Sequence, residues 1–274
     1  MARERILITV KTYPTLSRKY GETVCTAGIR EDGSWVRLYP VPFRRLEEAE
    51  QYRKFDWIEA DLVQSRSDPR PETRHPADMH QLVPVGHVGT GDDWHERRRL
   101  LLKPGFVYTR LADLIAAAKA NTRSPAVFKP AEITEFVIEE EEERQWDPAK
   151  LEAMRKAATQ GELFDEAEWR KTFRVIPKLP YSFSYRFTDA DGRQAKLQIL
   201  DWEVGALYWN CYRRHHCSEE VALEKVRAKY ETEFSKTDLH LFLGTTQQYH
   251  FVAPNPWVII GVLPIPNTLQ QSLF

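Results

Sequence analysis

Short β-type runs cut by turn residues constrain this chain more than any other feature. Residues 5–13 alternate Ile6, Ile8 and Val10 against Leu7, Thr9 and Lys11. Residues 22–29 and 35–42 flank the tight turn Asp32-Gly33-Ser34, and residues 55–64 are strand-like through Trp57, Ile58, Leu62 and Val63. Such segments, with a hairpin among them, predict a small barrel or a strongly bent sheet. The second half repeats the pattern. Tyr181, Phe183, Tyr185 and Phe187 alternate with smaller or polar residues, Asp191-Gly192 supplies a turn, and residues 195–200 return as the partner strand. Apolar runs at 239–243 and 257–263 have the length of buried strands.

Helical patterns lie between these runs. Residues 110–120 place Leu111, Leu114 and Ile115 on one face. A helix over 147–159 opens on Asp147-Pro148, a capping residue followed by a proline that fits the first turn. Further helices are expected at 46–53, at 204–215 and, capped by Ser218, at 219–234. Residues 65–93, rich in Pro, Asp, Arg, His and Gly, predict a long loop, and 133–138 predict a strand that enters the acidic block 139–143. The fold class is α+β: two β-rich units, barrel-like or bent-sheet, with interspersed helices. The expected organisation is a basic, aromatic unit over 1–145, an acidic helical linker over 146–170, an α+β unit over 171–266 and a free tail over 267–274.

Charge is distributed unevenly. Residues 1–46 carry nine Lys/Arg against four Asp/Glu, a balance of +5, and residues 132–168 carry four against thirteen, a balance of −9. A basic segment of this kind is the footprint of a surface that faces nucleic acid. Lys11, Arg18, Lys19, Arg37, Arg44 and Arg45 interleave with Tyr13, Tyr20, Trp35, Tyr39 and Phe43. Cations meet phosphates and flat rings stack on bases, so Lys11, Arg18, Lys19, Arg37, Tyr39, Arg44 and Arg45 are the candidate nucleic-acid-binding residues. No apolar run approaches the roughly 20 residues of a membrane span. The amino terminus leads into Ile6-Leu7-Ile8 without the apolar core of a secretory signal, and three cysteines fit a reducing compartment, so a cytoplasmic location is expected.

Two stretches resemble known families. Val24-Cys25-Thr26-Ala27-Gly28-Ile29, the Gly33 turn and Trp35-Val36-Arg37-Leu38-Tyr39-Pro40 resemble the opening of dual-OB domains of bacterial conflict-associated proteins. There a Cys and Ala-Gly strand precedes a Gly turn and a Trp-Ile-Arg-Pro segment; here Leu38-Tyr39 separates Arg37 from Pro40. The resemblance implies a β-barrel that accommodates oligonucleotides, working in phage defence. Gln270-Gln271-Ser272-Leu273-Phe274 resembles the peptide by which bacterial replication and repair proteins dock on the DNA sliding clamp. It implies that Leu273 and Phe274 fill an apolar pocket and that Gln270 bonds at its rim. Gln160-Gly161-Glu162-Leu163-Phe164 matches the same spacing.

Catalytic signatures are sparse. Phosphate-cradling Gly-rich loops, the Gly-x-Ser-x-Gly elbow and His-Glu-x-x-His are absent from the sequence. Cys211, His215, His216 and Cys217 are metal-ligand types, but four ligands within seven residues cannot readily surround one ion, so no metal is assigned. Asp61, Asp68 and Glu72, or Asp201 and Glu203, are the carboxylates that would serve Mg²⁺ in a nuclease. The leading expectation is therefore a cofactor-free nucleic-acid-binding protein of DNA maintenance or phage defence, with DNA or RNA and the sliding clamp as partners. A metal-dependent nuclease or nucleic-acid-modifying enzyme is the alternative, and a partner-binding protein using its acidic segment is a third.

Overall fold

The computed structural model describes residues 3–17, 21–46, 51–78, 81–159, 175–216 and 218–267. The molecule is α+β. Its first unit is built from β1 (Arg3–Lys11), β2 (Thr15–Ser17), β3 (Gly21–Arg30), β4 (Trp35–Val41), β5 (Asp56–Gln64), β6 (Thr73–Pro76) and β7 (Val83–His87). Five of these run in the order β1-β3-β4-β6-β5, and β5 pairs back onto β1, so the sheet closes into a barrel. All its pairings are antiparallel except β4 with β6. Closure requires strongly bent strands, and register breaks interrupt both the β1–β3 and β3–β4 ladders, as bulges at barrel corners do.

Strand β1 shows why its sequence reads as a continuous apolar run. Ile6 and Ile8 point into the barrel with Val36, Leu38 and Ile58. Leu7 and Val10 point outward, yet they too are buried, against Val127, Phe242, Ile260 and Leu263 of the second unit. A strand covered on both faces needs both rows apolar. Trp35 and Phe43 are core residues as well: Trp35 stacks on Phe106 at 5.6 Å, and Phe43 meets Tyr52 edge-on at 4.9 Å.

Helix α1 (Gly91–Leu101) connects to the second unit, which contains β8 (Val107–Tyr108), α2 (Leu111–Lys119), β9 (Pro125–Phe128), β10 (Glu132–Glu140), α3 (Pro148–Thr159), β11 (Tyr181–Thr188) and β12 (Gln194–Gln198). Helices α4 (Trp202–Arg214) and α5 (Glu219–Arg227) and strands β13 (Asp238–Thr245) and β14 (Trp257–Ile265) complete it. The β10-β11-β12 and β14-β13-β9-β8 sheets enclose a core with α2, α4 and α5. The expected hairpin forms: Tyr185 pairs with Leu197, Gly192 takes φ +76° in the turn, and Phe183, Tyr185 and Phe187 share the buried face. Asp147 caps α3 by accepting from Ala149 N at 2.8 Å, and Ser218 caps α5 by accepting from Val221 N at 3.3 Å.

Three expectations differ from the structure. Residues 65–93 are no continuous loop, because β6 and β7 lie within them. The Thr73-Arg74-His75-Pro76 stretch carries no apolar alternation, so only backbone pairing with β4 and β5 makes it a strand. Residues 51–53 are not helical, and 47–50 lie outside the described residues. Finally, β9 pairs with β13 and with β8, and β10 pairs with β11, so sheet membership changes near residue 105 and not near 145. Composition placed the boundary at the acidic run, whereas hydrogen bonding places β10 in the second unit. Pro264, which suits no central strand, sits on the edge strand β14 opposite Leu239.

Candidate functional site

A cavity of about 320 Å³ lies between the barrel and the second unit. This is at the lower end of the range for small-ligand sites. The barrel contributes Thr12–Thr15 after β1, Cys25 on β3, Arg37 and Tyr39 on β4, and Arg70 from the loop between β5 and β6. The second unit closes it with Trp146, Tyr181, Phe183, Gln198 and Thr245–Gln247.

Arg37 dominates the polar wall. It is 1 % exposed, although an arginine in a basic segment is expected at the surface. Its Nη2 donates to the carbonyl and to the hydroxyl of Ser124, both at 3.0 Å, and its Nη1 lies 3.4 Å from the Cys25 sulfur. Among the described residues no carboxylate pairs with it, and its Nε has no partner. Burial works against its charge, and neighbouring Arg70 adds to that effect. A negative charge acts through Ser124: Glu72 accepts from the Ser124 hydroxyl at 2.7 Å and from its N–H at 3.1 Å.

Arg70 is held differently. Its Nε donates to both Asp68 oxygens at 2.9 and 3.1 Å, its Nη2 to Asp68 at 2.5 Å, and its Nη1 to the Thr245 carbonyl. Burial pushes the Asp68 carboxyl up, but the Arg70 hydrogen bonds and charge outweigh this and hold it below the usual range. Opposite this wall, the Tyr13 hydroxyl donates to Pro177 O at 2.7 Å and accepts from Trp209 Nε1 at 2.9 Å. The Tyr13 ring rests on Gly205 of α4, where an added Cβ would lie 2.3 Å from it. A helix-interior glycine thus gives the ring its seat.

A second polar cluster lies in the seam between the units. Lys54 Nζ donates to Asp201 at 3.4 Å, Glu203 at 3.0 Å and Val262 O at 3.0 Å. Asp201 also caps α4 through Glu203 N and accepts from Val262 N at 3.1 Å. Burial pushes its carboxyl up to about 6, with Lys54 pulling the other way. Lys11 stands 3.9 Å over the Phe43 ring and donates to Tyr52 O at 3.2 Å; burial lowers its pKa to about 8.

The structure therefore scatters the residues that sequence grouped together. Arg37 and Tyr39 reach the cavity, whereas Lys11 lies in the seam and Arg44 is bound by both oxygens of Glu22 at 3.0 and 2.9 Å. Arg37 is buried, so the surface expected to pair it with Arg44 does not form. Arg18 and Lys19, the Arg45 side chain, Cys217, Gln160-Gly161-Glu162-Leu163-Phe164, and Gln270, Leu273 and Phe274 lie outside the described residues. The acidic candidates do not converge: Asp68 serves Arg70, Glu72 serves Ser124, Asp201 and Glu203 serve Lys54, and Asp61 stands on β5 opposite Arg3. Among the described residues no group of three His, Cys, Asp or Glu side chains could hold a metal ion. No helix there is long and apolar enough to cross a membrane. Sequence reasoning missed Arg70, Ser124 and Lys54; the close pair Asp68 and Arg70 was the one local signal available.

The family described as Domain of unknown function (DUF8758) matches residues 2–103, and that described as Domain of unknown function (DUF8757) matches residues 108–274. The two matches meet where sheet membership changes. No curated protein and no solved structure matches the chain. The second match spans more than half of the residues, and the chain belongs to the DUF8757 family.

Proposed function

We propose that this chain is a nucleic-acid-binding protein whose OB-like barrel receives its ligand at the cavity between the two units. One observation carries the reading. OB barrels bind oligonucleotides on strands 2 and 3 and on the loops after strands 1 and 4. The corresponding elements here, β3, β4, the segment after β1 and the β5–β6 loop, all border the one cavity that contains Arg37. The closed five-strand order with its single parallel pairing supports the same comparison. At about 320 Å³ the cavity suits one nucleotide unit, so the rest of a strand would run outside it.

DNA maintenance or phage defence is the setting implied by the resemblances of the N-terminal block and the tail. Docking on the sliding clamp through Gln270, Leu273 and Phe274 is part of the proposal, as is a cytoplasmic location. Asn267, whose side chain donates to Lys236 O at 2.8 Å, is the last described residue before that peptide. Truncation after Asn267 should abolish capture by immobilised clamp and leave oligonucleotide binding intact.

The decisive test is fluorescence anisotropy with labelled single- and double-stranded DNA and RNA over a salt series, with and without Mg²⁺. Binding that weakens linearly in log salt is expected, because phosphate contacts release counterions. Absence of binding to every probe at low salt would remove the proposal. Mg²⁺-dependent cleavage of a probe would instead favour the nuclease alternative.

A further inference from the structure

The loop between β13 and β14, residues 246–256, exposes large apolar side chains where a fold ordinarily hides them. Tyr249 is 50 % exposed, Phe251 53 % and Val252 75 %. The support beneath them is well anchored. His250, between the two aromatic residues, is 1 % exposed and bonded through both ring nitrogens. Asn121 uses its amide N–H to donate to Pro69 O at 3.0 Å, so its Oδ1 is free to accept from His250 Nε2 at 3.0 Å. Nδ1 then accepts from the Thr245 hydroxyl at 2.8 Å. Gln247 donates to Ser67 O at 2.8 Å, which ties the loop to the β5–β6 loop. Buried His250 and its bonds thus hold Tyr249 and Phe251 on either side of it, both outward, and Thr246 and Gln247 of the same loop line the cavity.

Charge identifies the occupant. Arg66 adjoins Ser67, and Lys119 and Arg123 stand two residues either side of Asn121. Arg66 and Lys119 are exposed, and none of the three forms an ion pair among the described residues. The nearby carboxylates of Asp68 and Glu72 are already taken by Arg70 and Ser124. Arg123 is half-buried with its guanidinium 5.7 Å from the Tyr108 ring centre, which leaves its charge without a carboxylate. Exposed rings beside cations that carry no counter-charge complement a ligand that offers flat apolar faces joined by negative charges. In a duplex those faces are covered by stacking, whereas in a single strand they are open.

We infer that the 246–256 loop is a stacking platform for unpaired bases of single-stranded nucleic acid at the cavity mouth. Tyr249 and Phe251 supply the rings, and Arg66, Lys119 and Arg123 hold the phosphates. The inference rests on the nucleic-acid-binding reading and adds to it a site contributed by the second unit.

The test measures binding of a labelled oligothymidylate of about twelve nucleotides, and of a duplex of the same length, to the full chain, to Tyr249→Ala/Phe251→Ala and to Tyr249→Trp. Loss of both rings should weaken binding roughly tenfold to a hundredfold, with only a small drop in melting temperature, because each side chain is half-exposed and Phe251 alone packs a ring contact, edge-on at 4.6 Å to His250. On binding, the Tyr249→Trp variant should lose more indole emission than the unaltered chain, which carries eight tryptophans of its own. Equal affinity of the double variant and the unaltered chain would overturn the platform while leaving binding at the barrel intact. Equal weakening towards single strand and duplex would overturn its specificity for unpaired bases. Failure of the unaltered chain to bind any oligonucleotide would remove both readings.

Discussion

The two buried polar clusters place charge under similar confinement and treat it in opposite ways. In the seam, Lys54 meets two carboxylates and a carbonyl, so three acceptors face its three N–H groups. At the cavity wall, Arg70 is closed by Asp68, but Arg37 beside it meets only Ser124 and a thiol, and its Nε is unpartnered. A saturated ion pair fastens elements together and has nothing left for a ligand. A guanidinium left on neutral partners beside a cavity retains capacity for an anion. The contrast separates a residue whose hydrogen-bonding capacity is spent on joining the units from one that, on the proposed reading, is left to meet a ligand.

Removing Asp201 should test the fastening side most severely. Asp201→Ala removes one of the two carboxylates on Lys54, uncaps α4 and leaves the buried Val262 N–H without its acceptor. The lost cap, the unsatisfied N–H and the weakened ion pair together cost about 3–5 kcal/mol, so thermal unfolding should begin some 10 °C lower. Oligonucleotide affinity, measured where the variant is folded, should hold. A variant with normal melting but lost binding would exchange the roles of the two clusters.

Next in size is Gly205→Ala, which brings a Cβ against the Tyr13 ring at 2.3 Å. Tyr13 is fixed by two hydrogen bonds, so the strain should cost roughly 1–3 kcal/mol. Because Tyr13 lines the cavity, binding should weaken as well. Differential scanning fluorimetry and anisotropy on the same samples would show both effects, and an unaffected protein would mean that α4 can shift freely.

Arg37→Met sharpens the other side of the comparison. An apolar side chain of similar length removes the charge and leaves the Glu72–Ser124 bonds in place, so stability should change little. Affinity for oligonucleotides should drop about tenfold, the loss of one charged contact. If melting falls as far as in Asp201→Ala while affinity is kept, Arg37 is a structural residue.

The smallest effect is a divergent response to mild acid. Burial lowers the pKa of His250, so the unfolded chain takes the proton first; stability from this site is present above the ordinary histidine value near 6.5 and is lost as pH falls below it. Asp201, raised to about 6, takes its proton first in the folded chain, so its contribution grows as pH falls through 6 towards 3.8. Hydrogen exchange at pH 7 and pH 5, corrected for intrinsic rates, should show the 246–256 loop losing protection relative to the start of α4. Parallel behaviour of both segments would contradict these environments.

How much of this was legible beforehand varies with the range of the interaction. The Tyr181–Thr188 hairpin, the caps of α3 and α5 and the apolar face of α2 were readable, because each is decided by neighbours within a few residues. Strand β6 was not, since its pairing with β4 and β5 is made by backbone groups that the Thr-Arg-His-Pro side chains do not announce. Composition also drew the boundary at the acidic run, while β10 pairs across it with β11.

By itself the sequence determined the α+β class, most element positions and the presence of arginine and aromatic side chains in the first 46 residues. Only the tertiary structure decided what those side chains face. Arg37 and Arg44 lie seven positions apart; closing the barrel against the second unit buries one on Ser124 and leaves the other on Glu22. Tyr249 and Phe251 look like core residues in one dimension, and they are exposed because His250 between them takes the buried place. Alternation fixes which residues share a face of a strand, but which face meets water depends on contacts more than a hundred residues distant, such as Leu7 with Val127 and Phe242.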